Sequence, residues 1–589
     1  MPTLEWLGKD KVVNHHQQVP YRVLEAQYTH NAERSDNMII RGDNLEALKS
    51  LLPKYEGKVK CIYIDPPYNT GNEKWVYNDN VNDPKIKAWL GKVVGAEGED
   101  LSRHDKWLCM MYPRLMLLKK LLAKDGIILI SIDDNEAANL KRIADEIFGV
   151  TNYITNFIWR KVDSPNDNKV AVTPDHEYIM AYAGDSSLLK LSPMHSDSIV
   201  KAYGQVDEQG RRYRDRLLKK NGRNSLRRDR PTMFFPLLAP DGTEVFPIHD
   251  NGEEARWSMG KDGIERQKKA GTLIWKKKIK NGIECWEPYT REYAPDDPTR
   301  PYPSMWHDLP TMRQAKAVLR SIFDTSDLFD TPKPAELIER ILDMVNDSNA
   351  IVLDSFAGSG TTAHAVLNKN KADGGNRKFI LVEMMDYADS ITAERVKRVI
   401  DGYTQDQEVV LFDEEITASN LEQGAELLAE AKAVAKDAKG KYSSVKKPVM
   451  EDNHLKVVAV NKAKDAVPGT GGDFTFYDLG EMLLLPNGNL NENVPTEKIR
   501  EYVYYMETKE ALSENSNGNP YFMGTSRGAA YYFYYEKDAI TTLDYDFLAT
   551  IPERADGYII YADLCTIPAE ELAKHSITFK KIPRDIARL

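Results

Sequence analysis

The chain has 589 residues, 42% of them hydrophobic and 29% charged, and this length predicts about three or four domains with ample apolar core. Four scattered cysteines (Cys61, Cys109, Cys285, Cys565) with no C-x-x-C pair argue against a zinc ribbon or disulfide scaffold, so no metal is expected and a reducing cytoplasm is. No signal-peptide pattern and no membrane-spanning apolar run is present, and a net charge of −11 excludes a uniformly basic nucleic-acid coat while leaving room for a local basic face.

Residues 1–35 are polar and mixed, and read as an N-terminal arm. Organisation begins at Met38-Ile39-Ile40, a short strand followed by Arg41–Asn44 and a helical spacing of Leu45, Leu48, Leu51 and Leu52. The β-rich run Val59–Ile64 stops at Asp65-Pro66-Pro67-Tyr68, because two prolines cannot continue a central strand. Apolar spacing over 107–123 predicts a helix that Pro113 should kink or start; a strand Ile127–Ile132 and a helix over 137–147 follow. Strand alternating with helix at this spacing predicts an α/β fold with a doubly wound, mostly parallel sheet.

Residues 161–320 break that rhythm, being rich in Pro, Gly and basic residues, and read as an inserted domain. Ten Arg or Lys fall within 211–230, among them Arg211, Arg212, Lys219, Lys220, Arg227 and Arg228; taken alone, such a run is as well explained by a solvated loop. The α/β rhythm resumes with a helix over Ala335–Val345, a strand Ala350–Leu353, a glycine turn, a helix from about Thr361 and a strand Lys378–Val382. From about 413 the composition shifts to an Ala/Glu/Lys-rich helix (421–439), a glycine-rich loop at 469–472 and an aromatic strand, Tyr531–Tyr535, that reads as core.

Two motifs carry chemistry. Asp65-Pro66-Pro67-Tyr68 sits directly after an apolar strand, where the carboxyl ends of parallel strands gather ligands. The exocyclic amine of a base is a poor nucleophile, since its lone pair is delocalised into the ring. The Asp65 carboxylate and the Pro66 carbonyl can accept its N–H bonds and aim that lone pair at an electrophile, with Tyr68 offering a face for an extruded base. The second motif, Leu353–Thr362, is a strand, a turn with Gly358 and Gly360, and a helix start. It lacks the lysine of a phosphate loop but satisfies a relaxed G-x-G-x-x-G/A frame with Ala363, so a dinucleotide reading stays open on spacing alone. Glu383, ending the next strand, stands where ribose hydroxyls are held; both facts point to an adenosine-type cofactor without choosing one. Phe329–Pro334 is a proline-rich turn that reaches toward the same place.

Together, Asp-Pro-Pro-Tyr, Thr-Pro-Lys-Pro and Phe-Ala-Gly-Ser-Gly resemble the S-adenosylmethionine-dependent amino-methyltransferases of DNA. The circular order, catalytic motif first and cofactor motif last, is similar to their β class. The stretches Ile62–Gly71, Met111–Glu136 and Ala350–Glu383, with Gly471–Phe474, look most like the modification (Mod) subunit of type III restriction–modification systems. This resemblance implies a methyltransferase fold with core halves at 36–160 and 321–412, a target-recognition domain at 161–320 and a C-terminal α+β domain at 413–589 for a partner or dimer. It implies Asp65, Pro66, Pro67 and Tyr68 as catalytic residues. For the cofactor S-adenosylmethionine it implies Asp354, Phe356, Gly358, Gly360, Thr361 and Glu383, with Thr331, Lys333 and Pro334 beside them and Asp43 and Asn44 near its adenine. The basic run becomes a phosphate-contacting surface for double-stranded DNA.

Asp rather than Ser before Pro-Pro-Tyr leans the family toward N6 of adenine over N4 of cytosine, although both amines need the same acceptors. A homodimer is implied only by the family. No Walker lysine motif and no P-D…E-x-K nuclease pattern occurs in the chain, so cleavage in such a system requires a helicase–nuclease partner. The rivals are a cytosine-N4 enzyme and a DNA-recognition subunit active only within a larger restriction complex. An RNA or protein-glutamine methyltransferase is a weaker one, since such enzymes usually carry Asn at the place of Asp65.

Overall fold

The computed structural model describes residues 3–583 and 586, apart from 71–101, 164–171, 281–282, 326–327, 418–419, 452, 513–517 and 553. The chain divides into one unit formed by Met1–Leu191 with Pro303–Leu589 and a second formed by Ser192–Tyr302.

The first unit is built on a sheet whose strands come from both ends of the chain. They are β1 (Arg22–His30), β2 (Met38–Arg41), β3 (Val59–Ile64), β4 (Leu122–Ile132), β5 (Tyr153–Arg160) and β6 (His176–Ala183), with helices α1 (Asn44–Tyr55), α2 (Arg103–Leu121) and α3 (Ala137–Phe148) between them. After the second unit come β7 (Met305–Trp306), α4 (Met312–Phe323), α5 (Ala335–Val345), β8 (Ile351–Asp354), α6 (Thr361–Asp373), β9 (Lys378–Glu383), α7 (Glu394–Asp401) and β10 (Phe474–Met482). Among the described residues the strand order is β1-β10-β2-β9-β8-β3-β4-β6-β5-β7. The six strands from β10 to β4 run parallel, while β6 is antiparallel to both β4 and β5.

The parallel strands read as apolar runs because helices cover both their faces. Ile39, Ile40, Ile62, Ile64, Leu353 and Leu381 are each fully buried. The chain leaves β3 toward β4 on one side and β8 toward β9 on the other, so the sheet's topological switch point lies between β3 and β8. Ligands of open α/β sheets bind at the carboxyl ends there.

Four sequence expectations are corrected. Residues 161–320 do not form the insert as a block: the compact second unit is Ser192–Tyr302, and β6 and β7 belong to the large sheet. The apolar run Ile179–Ala183 is fully covered there, which a loop-rich insert could not do. Residues 1–35 are not merely an arm, since β1 pairs with β10 over Arg22–His30. Nor is 413–589 separate from the core: β10 lies parallel to β2, fastened by the Arg41 guanidinium on Asp478 at 2.7 Å. Helix α2 also starts earlier than expected, where Ser102 and Asp105 close a capping box, and it runs through Pro113. Tyr531, Tyr532 and Phe533 are buried in the C-terminal part.

The second unit carries a four-stranded sheet including Arg212–Leu217, Leu273–Lys280 and Ile283–Tyr293, and a small core of Leu218, Phe235, Trp257 and Ile264. Among the described residues of the chain no helix is long and apolar enough to cross a membrane.

Because β10 is interposed between β1 and β2, a chain ending after residue 412 loses the hydrogen-bond partner of both. We expect it to show no cooperative urea transition by circular dichroism, where the full chain does; a sharp native-like transition would show that the core is complete without β10.

Candidate functional site

Asp65 follows the last residue of β3, and Asp133, Asp354 and Glu383 stand at the matching ends of β4, β8 and β9. Parallel pairing places all four at one sheet edge, and antiparallel β6 starts at that edge with His176 and Glu177. Of these, Asp65, Asp133, His176, Glu177 and Asp354 line a cavity of about 550 Å³. That volume falls within the range of roughly 300–1,000 Å³ usual for cofactor sites.

The Asp65–Tyr68 loop is fixed from below. The fully buried Trp107 of α2 donates its indole N–H to the Pro67 carbonyl at 2.7 Å, so that carbonyl is committed to structure while Pro66 faces the cavity. The buried Tyr68 lines the cavity, but its hydroxyl serves the acids: it donates to Asp65 Oδ1 at 2.8 Å and to Glu177 Oε2 at 3.1 Å.

Lys333, placed by the resemblance beside the cofactor, reaches instead across to Asp65. Its Nζ stands 2.9 and 2.8 Å from the two Asp65 oxygens and 3.3 Å from Glu177, with Lys161 3.2 Å from the other Glu177 oxygen. Burial pushes the Asp65 carboxyl up, an effect that Lys333 opposes and Glu177 reinforces. Burial also acts to raise Glu177, but Lys333 and Lys161 outweigh it and hold that acid below its usual range. Burial disfavours the Lys333 ammonium; the two carboxylates more than offset this and keep it charged.

The glycine turn is held by its flanking acids. Asp354 accepts from the Phe356 N–H at 3.0 Å and the Thr362 hydroxyl at 2.6 Å; Glu383 accepts from the Gly358 N–H at 2.8 Å and the Met385 N–H at 2.9 Å. Both carboxyls are pushed up to about 7, burial being the largest cause. Gly360 has φ +80°, and a Cβ there would lie 3.0 Å from the Thr392 carbonyl, so the position requires glycine. Behind the turn, buried Arg395 donates to Ser359 Oγ and Thr361 Oγ1, both at 2.8 Å. Among the described residues the buried Ser355 hydroxyl has no hydrogen-bond partner.

Asp65, Pro66, Tyr68, Thr331, Lys333, Asp354, Phe356, Gly358 and Thr361 thus line the cavity, whereas Pro67, Pro334, Gly360, Glu383, Asp43 and Asn44 do not. Asp43 caps α1, accepting from the Leu45 N–H at 2.8 Å, and Asn44 donates to the Ser355 carbonyl at 3.2 Å while accepting from Arg114. Sequence reasoning missed Glu177, Lys161 and Asp133, all on the cavity wall, which Phe329 of the proline-rich turn lines as well. A glutamate leading an otherwise apolar strand was the available signal for the first. Gly71, at the end of one family-like stretch, lies outside the described residues.

In the second unit the basic run is partly self-satisfied. Arg211 pairs with Asp207 at 2.9 Å, Arg227 with Glu254 at 2.9 Å, and Lys219 donates to the Ile248 carbonyl at 2.8 Å. Arg212 and Arg228 are exposed and Lys220 is half-buried, with no ion pair to any of them among the described residues.

An acid-lined cavity at the switch point of a mostly parallel sheet defines a ligand-binding α/β protein. The sequence profile of the DNA methylase family matches residues 59–394, and the chain belongs to that family. It is 32% identical to the type III restriction–modification enzyme StyLTI Mod subunit of Salmonella typhimurium, over 67% of this chain and 62% of that one. It is 35% identical to the type II methyltransferase M.KpnI of Klebsiella pneumoniae, over 60% of this chain and 81% of that one. The PvuII DNA methyltransferase (cytosine-N4-specific) superposes with a TM-score of 0.32 at 13% identity, covering 64% of this chain and 89% of that one. The chain spans 62–63% of the length of the first type III Mod subunits it matches.

A carboxyl whose proton is held more tightly in the folded than in the unfolded chain stabilises fully below the unfolded value near 4. That stability is lost as pH rises toward about 7. Asp354→Asn removes this contribution. Between pH 5 and 8 the variant should lose about 2 kcal/mol less stability than the parent in urea unfolding; equal losses would show that Asp354 titrates normally.

Proposed function

We propose that the chain is a DNA methyltransferase that moves a methyl group from S-adenosylmethionine to an exocyclic base amine, N6 of adenine, as the modification subunit of a restriction–modification system. The observation that carries the reading is the Asp65–Lys333–Tyr68 cluster on the wall of the switch-point cavity: a carboxyl group paired with a buried ammonium, beside Pro66 on the same wall. Two acceptors set side by side suit an NH₂ group and have no evident task in hydride transfer.

The cofactor fits what surrounds the glycine turn. Asp354, whose described hydrogen-bond partners are all neutral, is a group that a ribosyl or cationic ligand would satisfy, and Phe356 and Phe329 supply apolar wall. When bound, S-adenosylmethionine supplies an electrophilic methyl group on a positively charged sulfur. The protein's part is to hold the amine by Asp65 and Pro66, so that the nitrogen lone pair is free to attack in line and the surplus proton can leave afterwards. No covalent intermediate on the chain is involved, consistent with the absence of cysteine from the catalytic motif.

The target lies inside duplex DNA, and the base must be extruded to reach such a cavity. Adenine is preferred to cytosine because Asp, not Ser, precedes Pro66-Pro67-Tyr68. The exposed Arg212 and Arg228 are candidates for phosphate contact. Likeness to type III Mod subunits, reaching beyond the catalytic motifs, supports the system and a helicase–nuclease partner.

The test is to incubate the purified chain with methyl-labelled S-adenosylmethionine and mixed duplex DNA, digest the DNA and identify the labelled nucleoside. N6-methyladenine is expected, and N4-methylcytosine would correct the base while keeping the chemistry. Asp65→Ala should abolish labelling while cofactor affinity stays near that of the parent; equal loss of both would refute the role given to Asp65.

A further inference from the structure

Glu177 belongs to none of the motifs, yet it is 1% exposed and stands within the cluster around Asp65. A second carboxylate buried beside the first repels it, and Lys333 and Lys161 offset that cost. The charged and titratable groups around the pair are Tyr63 and Tyr68 from β3 and its loop, Lys333 from the turn before α5, Lys161 after β5, Asp133 after β4 and Asp354 after β8.

The donors are divided unequally. Lys333 has three N–H bonds: two go to Asp65, and its 3.3 Å approach to Glu177 accounts for the third. Tyr68 has one hydroxyl proton, shared between Asp65 at 2.8 Å and Glu177 at 3.1 Å. Lys161 approaches Glu177 from its other oxygen, Oε1, away from Asp65. Without Glu177, Asp65 would hold the whole of the Lys333 ammonium; with it, that ammonium is shared by two carboxylates, while Lys161 balances Glu177 from Oε1 and leaves the four-ion cluster neutral.

We propose that Glu177 is a positioning residue for the transfer: it shares the Lys333 ammonium and the Tyr68 hydroxyl with Asp65, so that the Asp65 carboxylate keeps acceptor capacity for the target amine. This rests on the amine-methylation reading. Asp65 acts ionised, so transfer fails on the acid side when it takes up a proton. Glu177 favours that protonation and Lys333 opposes it. Removing Glu177 therefore moves the acid limb of the rate to lower pH, and removing Lys333 moves it to higher pH. Opposite displacements from two neighbours are not produced by loss of packing.

The experiment measures single-turnover transfer from methyl-labelled S-adenosylmethionine to duplex DNA by the full chain, as a function of pH, for the parent, Glu177→Gln, Glu177→Asp and Lys333→Met. Glu177→Gln should lower the plateau rate about a hundredfold, with cofactor and DNA affinities near those of the parent and the acid limb at lower pH. Glu177→Asp should restore part of the rate, and Lys333→Met should place the limb at higher pH. If Lys333→Met does not fold, the Gln and Asp variants decide the matter between them. A Glu177→Gln rate and limb equal to the parent's would overturn the proposal, as would a lowered rate with an unmoved limb. A parent that binds cofactor yet labels no duplex would instead overturn the methyltransferase reading, and this proposal with it.

Discussion

Asp65 and Lys333 are separated by 268 residues, and the two 2.8–2.9 Å contacts between them join the early and late halves of the sheet at its switch point. A carboxylate at the end of β3 and an ammonium leading into α5 are each expensive to bury alone, since removing an ion from water costs several kcal/mol even after relaxation. Each is offset by the other, with Tyr68 donating to Asp65, Glu177 close to Lys333 and Lys161 on the other Glu177 oxygen. The cavity geometry therefore depends on both halves being assembled. Neither strand pairing nor apolar packing alone would set the position of the Asp65 carboxylate to within a hydrogen-bond length.

The strands that pattern reasoning found are those buried on both faces. Val59–Ile64 and Lys378–Glu383 are continuous apolar runs with abrupt polar ends, so composition and boundary coincide. Those it missed lie at or toward the sheet margins. Arg22–His30 is an edge strand with only one residue buried, and its partner Phe474–Met482 lies more than 400 positions away, so nothing local distinguishes it from a polar arm. His176–Ala183 is apolar enough to be read as a strand but sits within a long basic, proline-rich stretch. Its place between β4 and β5 is a property of the pairing and not of its neighbours in sequence.

The site was legible in the same uneven way. Asp65 and Gly358 announce themselves through unusual neighbours, prolines after a strand and glycines before a helix. Glu177 has no such context: its meaning comes from Lys333, and the two meet only in the folded chain. Lys333 itself was found as part of a motif, but its task was not, because a motif fixes proximity to a site without saying which atom the side chain meets. Asp43 and Asn44 show the converse. Their position after β2 suited a cofactor contact, but a helix cap and a buried bond to Arg114 use those side chains first.

The cavity thus has two electrostatic regimes, one around each motif. Around Asp65 the two acids are matched by two lysines, whereas around Asp354 the described hydrogen bonds come from neutral donors only, a hydroxyl and a backbone N–H. Burial, with the charges of Asp65 and Glu383 adding to it, holds the Asp354 carboxyl near half protonation at neutral pH. A carboxyl in that state gains most from a partner that is cationic or donates hydrogen bonds, because such a partner favours the charged form that burial penalises. A matched cluster has no comparable deficit. The wall with unbalanced acids is therefore the one that draws a positively charged or hydroxyl-bearing ligand, while the balanced wall can present acceptors to a neutral amine without being neutralised by it. Division of labour between the two motifs follows from where the chain placed its lysines.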